Sequence, residues 1–362
     1  MTTKTSTLRF AAIQMTPELG NVDANLRKAL ALVQEAIAAE AEWIVLPEFF
    51  TTGMAFDDSL LNGHQPLDGE PVKRLQSVAT QSGVTIGGSF LAESQSHVYN
   101  TFVLVTPDGQ VFSHDKDFPS GPIEHAYYAG AEDAEFLRLL RERGIDISDR
   151  SIPARATNNA SGQFVTNNAR IGVALCWEMI RHRTVARLRS KVDVVLGCSA
   201  WPTIDPDVGF PGMTRDEVIQ LNTTLVHMVQ QAPRQLAELL GVPVIHANLV
   251  GPVRSTKLFD RTVDVVTRFC GDSRIVDCHG RTLARRSSDE GEGILVSDVA
   301  LEHAEPLELN RDAFWIPDMP PMLQSLWYDQ GAVGRRYYLD HVCPYRQERA
   351  VGAAPSRFRK GD

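Results

Sequence analysis

Short apolar runs alternate with helix-period patterns along most of the chain, and few folds accommodate that alternation. LRFAAIQ at 8–14 and WIVLP at 43–47 read as strands. Between them Asn21 stands before a helix in which Leu26, Leu30, Val33 and Ile37 recur at three- and four-residue spacing. A second helix, carrying Val72, Leu75, Val78 and Ala79, ends at Gly83 and gives way to VTIGGSF. VYNTFVLV and QVFSHDK then flank Pro107-Asp108-Gly109 as the arms of a hairpin. The second half repeats this plan. It runs through RIGVALCW, a helix from about 180, VDVVLGCSAW, a long helix over about 216–240 and PVIHANLVG, and ends in a hairpin of SRIVDC and RTLARR around His279-Gly280.

Two related sheet-and-helix halves follow from this pattern. Helices cover one face of each sheet, and the remaining apolar faces bury each other, because a sheet apolar on both faces needs a layer against each. The expected fold is therefore α/β, a four-layer αββα sandwich, with the main domain over residues 1–304. Residues 131–168 break the rhythm, first charged and then rich in Asn, Ala and Ser. They are read as an insertion of one short helix and a surface loop. Residues 305–362 are read as an irregular extension that packs on the domain or on a partner subunit and ends in the basic stretch SRFRK.

With 362 residues and 43% hydrophobic content the chain can build a large core. Its formal net charge of -9 argues against nucleic acid or an anionic membrane surface as a partner, since both need clustered Lys and Arg. The five cysteines (176, 198, 270, 278 and 343) are odd in number and scattered, unlike a disulfide framework or paired zinc ligands, so reduced thiols in the cytoplasm are expected. No apolar run approaches the roughly 18 residues of a membrane span, and the N-terminal apolar stretch is cut short by Gln14 and Pro17 before a signal-peptide core develops. The phosphate loop, the dinucleotide-binding glycines, the Gly-x-Ser-x-Gly elbow and the HExxH zinc motif are all missing, so no cofactor and no metal are expected.

Three predicted strands end on residues that carry chemistry: WIVLP on Glu48, QVFSHD on Lys116 and IGVAL on Cys176. Strand carboxyl ends are where open α/β sheets gather ligands and catalytic groups. A thiol with a pKa of roughly 8.5 needs a base or a neighbouring cation to attack a carbonyl or nitrile carbon at neutral pH. Glu48 fits the base and Lys116 the cation that stabilises developing charge. If Cys176 closes its strand and Trp177 opens a turn, the Trp177 N–H points into the same cavity as a further donor. Singly each residue has a plainer reading: an inert buried thiol, a helix-start glutamate, a solvated lysine. Phe49, Phe50, Trp177 and Trp201 stand around the three positions, and no added basic motif appears beside them to bind a carboxylate. An uncharged small or arylalkyl substrate is expected, with Phe50, Trp177 and Trp201 at its side. Trp201 fits either the pocket wall or the core.

The order LPEFF, HDKDFP, LCWEM, each after an apolar strand, resembles the Glu-Lys-Cys signature of the nitrilase superfamily of carbon-nitrogen hydrolases. FAAIQMTPELGNVDAN is similar to that family's first strand and loop, and FCGDSRIVDCHGRTLARRSSDEGEGILVSDV to its closing hairpin and last strand. The resemblance covers residues 8 to about 300. It implies a thiol hydrolase that turns a small nitrile or amide into a carboxylate and ammonia through a thioester on Cys176. Glu124, in FPSGPIEHAYYAG, falls where many members carry a second glutamate that positions substrate or assists proton transfer. CWE and SAWP look more like the nitrilase branch than the aliphatic amidases. The extra residues between Pro119 and Glu124 and the 131–168 insertion depart from that branch where specificity is set. Glu178 is expected to pair with an arginine such as Arg181. A homo-oligomer, dimer or larger, is also implied. The alternatives are a non-catalytic scaffold of the same fold and an amidase or acyl-transfer enzyme that does not accept nitriles.

Overall fold

A computed structural model of the chain describes residues 6–94, 97–145, 151–155, 159–166, 169–210, 212–258, 261–308 and 321–350. The first half runs β1 (Thr7–Gln14), α1 (Val22–Ala38), β2 (Trp43–Val45), β3 (Gln65–Pro66), α2 (Glu70–Ser82), β4 (Thr85–Ser94), β5 (His97–Val105), β6 (Val111–Asp115), α3 (Gly121–Tyr127) and α4 (Asp133–Glu142). Its two long helices stop and start where the sequence indicates. The Asn21 side chain accepts a hydrogen bond from the Ala24 N–H at the start of α1, and Gly83 takes the left-handed conformation that closes α2.

The second half runs β7 (Gln163–Val165), β8 (Arg170–Leu175), α5 (His182–Leu188), β9 (Val194–Ser199), β10 (Pro202–Ile204), α6 (Arg215–Leu240), β11 (Val244–Asn248), β12 (Val250–Leu258), β13 (Arg261–Cys270), β14 (Ser273–Val276), β15 (Thr282–Arg286) and β16 (Gly293–Ala300). β16 crosses back to the first sheet and pairs antiparallel with β1, from Thr7 opposite Ala300 to Gln14 opposite Gly293. One sheet thus has the order β16-β1-β2-β4-β5-β6, with β3 beside β4, and the other β15-β14-β11-β9-β8-β7.

Alternation along each strand builds the four layers. In β1, Phe10 and Ala12 face the second sheet while Ala11 and Ile13 join the core beneath α1 and α2. In β8, Ile171, Val173 and Leu175 face the first sheet while Ala174 lies with Val185, Leu188, Val229 and Leu236 of the covering helices. The sheet-to-sheet core, with Trp43, Phe102, Leu104, Val194, Leu196 and Ile245, is fully buried. Hydrophobic burial at about 25 cal/mol per Å² makes this layer the main force holding the halves together.

Three features differ from the sequence expectation. A third sheet, β10-β13-β12, rises from the second half; Pro252 and the polar residues of VGPVRSTKL hide it from a search for apolar runs. The 131–168 insertion contains α4 as expected, but β7 at its end pairs with β8 and extends the second sheet. Residues 146–150, 156–158 and 167–168 of the insertion lie outside the described residues. The C-terminal extension is helical over α7 (Pro321–Tyr337) and α8 (Cys343–Ala350), with a π-helical turn, Tyr338–Val342, between them. The prolines from Pro306 to Pro321 give the segment its irregular pattern, and Gly331 and Gly334 lower the helix propensity of α7 further. SRFRK falls outside the described residues.

The extension is pinned to the domain by a buried ion pair. Arg335 Nε and Nη2 each reach an Asp133 carboxylate oxygen at 2.7 Å, and Asp133 also accepts from the Ile152 N–H at 2.8 Å. Arg335→Ala leaves a buried carboxylate without its cation and is expected to cost about 3–5 kcal/mol. A urea unfolding curve checks this, and a loss under about 1 kcal/mol contradicts it. No helix among the described residues is long and apolar enough to cross a membrane.

Candidate active site

The ends of β2, β6 and β8 meet at one buried point. Leu46 and Phe50 donate their N–H groups to Gly87 and Ser89, so the chain carrying Glu48 continues alongside β4. A Cβ on Gly88 would lie 2.6 Å from that of Leu46, so only glycine permits this approach. Lys116 follows β6 and remains tied to β5 through its N–H to the Asn100 carbonyl, 2.9 Å away. Cys176 ends β8 and begins a 3-10 turn, Cys176–Ile180, at φ +49°. A non-glycine residue in the left-handed region is strained, and such strain gathers at sharp turns that present a side chain.

Lys116 Nζ donates to Glu48 Oε1 at 2.9 Å and to Glu124 Oε2 at 2.7 Å. Glu48, Glu124 and Cys176 bring their oxygen and sulfur atoms within 4.8 Å of one another. Glu48 also accepts from Asn100 Nδ2 at 2.7 Å and from the Ala200 N–H at 2.9 Å. Glu124 accepts from the Ser120 N–H at 2.7 Å and from the Tyr128 hydroxyl. Two carboxylates and a thiol at this spacing are also the donor set of a metal site, but Lys116 already supplies the cation bonded to both acids.

Burial pushes Glu48 up to about 7, and the pull of Lys116 offsets this only in part. Burial also works against the Lys116 ammonium, yet Glu124 and then Glu48 hold it well above its ordinary range. The asymmetry arises because one lysine gains from two acids while each acid has only a share of the lysine. Burial, with the Glu48 charge added, drives the Cys176 thiol well above its usual value against the opposing effects of Lys116 and the Ala200 N–H. The resting arrangement is a neutral thiol beside a carboxylate poised near neutrality, a proton donor and acceptor in one dry cluster.

Glu178 does not pair with Arg181. It accepts from the Leu175 and Asp117 N–H groups at 2.9 and 3.0 Å, with His114 at 3.3 Å and Arg187 at 3.6 Å. It therefore ties the Cys176 turn to the Lys116 loop. Despite its burial, His114 and Arg187 hold it well below the usual carboxylate range. Arg181 instead reaches Asp117 at 2.6 Å.

Residues 9–308 match the family model described as carbon-nitrogen hydrolase. The chain belongs to that family. It is 32% identical over 112 residues to a nitrilase of Pyrococcus abyssi, covering 30% of this chain and 43% of that protein. It is 26% identical over 179 residues to an omega-amidase of Xenopus tropicalis, covering 46% of this chain and 54% of that protein. The chain thus spans about half the length of these curated relatives. The crystal structure of an amidase from Nesterenkonia sp. superposes with a TM-score of 0.55 at 18% identity, covering 82% of this chain and 91% of that one, a likeness of fold.

In this member of the family the structure brings together Glu48, Lys116, Glu124 and Cys176 as the sequence anticipated. Trp177 lies with Trp201 at 5.8 Å between ring centroids. Trp201 is fully buried, with an indole N–H that finds no acceptor among the described residues. Phe50, expected at the substrate side, instead packs edge-on to Phe90 at 6.3 Å in the core beneath α1 and α2. The chain turns between Glu48 and Phe50, with Phe49 at φ +53°, and the two side chains part. Sequence reasoning missed Asn100 and Tyr128, whose side chains bond the two glutamates. Tyr128 lies one helical turn after Glu124, a spacing that was available as a signal.

Proposed function

We propose that the chain hydrolyses a small uncharged nitrile or amide to a carboxylate and ammonia through a thioester on Cys176. The observation that carries this reading is the Lys116 ammonium held between Glu48 and Glu124 within reach of a strained, buried cysteine. Glu48 takes the thiol proton as Cys176 Sγ bonds to the electrophilic carbon. Lys116, with the Trp177 N–H in the first turn after Cys176, stabilises the negative charge that develops on the substrate oxygen or nitrogen. Glu124 fixes the ammonium and assists proton transfer to the leaving group.

With an amide, the tetrahedral adduct breaks its C–N bond, the proton on Glu48 passes to nitrogen, and ammonia leaves a thioester. With a nitrile, attack gives a thioimidate, which adds one water and then loses ammonia to reach the same thioester. A further water, deprotonated by Glu48, cleaves the C–S bond and restores the thiol. The family relatives include both a nitrilase and an omega-amidase, and this machinery serves either substrate.

An ammonia-release screen with nitriles and amides of matched acyl groups tests the reading, with Cys176→Ala alongside. Release by the wild type and none by the variant is expected; release that survives in the variant contradicts the mechanism. The reaction also has an expected pH profile. Glu48 must be ionised to accept the thiol proton, so kcat/KM should fall on the acid side of about pH 7. A profile flat from pH 5 to 8 rules Glu48 out as the base.

We also propose a homo-oligomer of at least two copies; α6 leaves Ile219 and Val226 exposed two turns apart, apolar side chains that a second copy would cover. Sedimentation that gives a fully active monomer at micromolar concentration contradicts this.

A further inference from the structure

The family match ends at residue 308, yet the chain goes on to α7 and lays a tryptophan against the candidate site. Trp327 is buried, and its ring lies parallel to that of Trp177 with 4.6 Å between centroids and 4° between planes. Trp177 follows Cys176 directly and also meets Trp201. Close-packed interiors leave such a ring no free volume in which to swing, so Trp327 fixes the side chain next to the reacting thiol.

α7 is itself set tightly against α3, the helix that carries Glu124. A Cβ on Gly334 would collide with the Pro122 carbonyl oxygen and lie 2.9 Å from His125 Cβ, and one on Gly331 would lie 3.1 Å from His125 Cδ2. Bare backbone at both positions lets the helices approach this closely. The Arg335–Asp133 pair, one residue beyond Gly334, locks the arrangement. A single helix outside the family match therefore touches both the Glu124 helix and the ring beside Cys176.

We propose that Trp327 is a specificity-determining residue that holds Trp177 in place and so limits the width of the acyl group that reaches Cys176. The wild-type wall admits slender uncharged acyl groups, and shortening Trp327 lets Trp177 retract and admits wider ones. This rests on the reading that Cys176 is the reacting thiol.

The test is the rate of Cys176 alkylation, mapped by peptide mass, in the full-length wild type, Trp327→Ala and Trp327→Leu. The probes are iodoacetamide and its N-benzyl derivative. Alkylation reads access to Sγ whether or not any substrate is turned over, so a protein that alkylates as expected but releases no ammonia fails the proposed reaction and not this inference. The ratio of the N-benzyl rate to the iodoacetamide rate should rise about tenfold in Trp327→Ala and by less in Trp327→Leu, with the iodoacetamide rate itself changed by under about threefold. A ratio within about twofold of wild type in both variants overturns the proposal. A rise of both rates to those of a urea-denatured control in both variants also overturns it, because Trp327 is then only a core residue.

Discussion

Glu48→Gln is expected to lower turnover by about 10²–10⁴-fold while the chain still folds. The amide keeps the size of the carboxyl group and can still accept a hydrogen bond where Glu48 meets Lys116, Asn100 or the Ala200 N–H. It cannot take a proton from the Cys176 thiol, which burial holds in its neutral form. Because Glu48, Lys116 and Cys176 act as one unit, a Glu48→Gln/Lys116→Ala double variant should be little worse than the poorer single variant. Steady-state kinetics on the best substrate checks both statements. Near wild-type turnover in Glu48→Gln, or losses that multiply in the double variant, contradicts the assigned roles.

Lys116→Ala should act on both activity and stability. Removing the cation that faces the developing oxyanion is expected to cost about 10²–10³-fold in kcat. It also leaves Glu48 and Glu124 buried and close to each other with no counter-charge, a penalty of about 3–5 kcal/mol at neutral pH. Without the pull of Lys116, Glu48, which burial and the Glu124 charge already raise to about 7, moves higher still in the folded state. A carboxyl raised above its unfolded value is accommodated at low pH, and its cost grows as pH climbs through the unfolded value of about 4.3 towards the folded one. Because Glu48 already stands at about 7 in the wild type, the two proteins change in step below that pH, and the deficit of Lys116→Ala in urea unfolding should widen as the pH rises above 7. A deficit independent of pH means that the lost stability comes from the lysine's methylene packing and not from uncompensated charge.

Much of the fold was legible because its strands are short apolar runs and its helices keep a 3.6-residue apolar period. Asn21 and Gly83 mark helix ends by local hydrogen bonding and backbone conformation, which need no tertiary context. The third sheet was not legible, since β12 contains Pro252 and pairs residues that share no apolar pattern. α7 was hidden by the prolines before it, and because Gly331 and Gly334 weaken a helix locally and repay that cost only through close contact with α3, which is a fact of packing. At the site, Glu48, Lys116 and Cys176 stand out as charged or nucleophilic residues that end apolar runs. Phe50 misled because the chain turns over residues 48–50, with Phe49 at φ +53°, so closeness to Glu48 in sequence does not decide which side a ring faces. Asn100 acts by bonding Glu48 from 52 residues away and carries no mark of that partner in the sequence, whereas Tyr128 stands four residues after Glu124, a spacing that points to it.

All five cysteines are buried and free of disulfides, so burial alone does not mark the nucleophile. Burial raises the Cys198, Cys270 and Cys278 thiols, as it does Cys176, but among the described residues only Cys176 shares a cluster with Lys116, Glu48 and Glu124. The most direct measurement is peptide mass mapping of the wild-type protein quenched in acid during turnover of a substrate that releases ammonia. An acyl group is expected on the Cys176 peptide, disappearing as the substrate is exhausted and never forming in Cys176→Ala. Ammonia release with the acyl group on Cys198, Cys270, Cys278 or Cys343, and Cys176 unmodified throughout, would contradict Cys176 as the nucleophile.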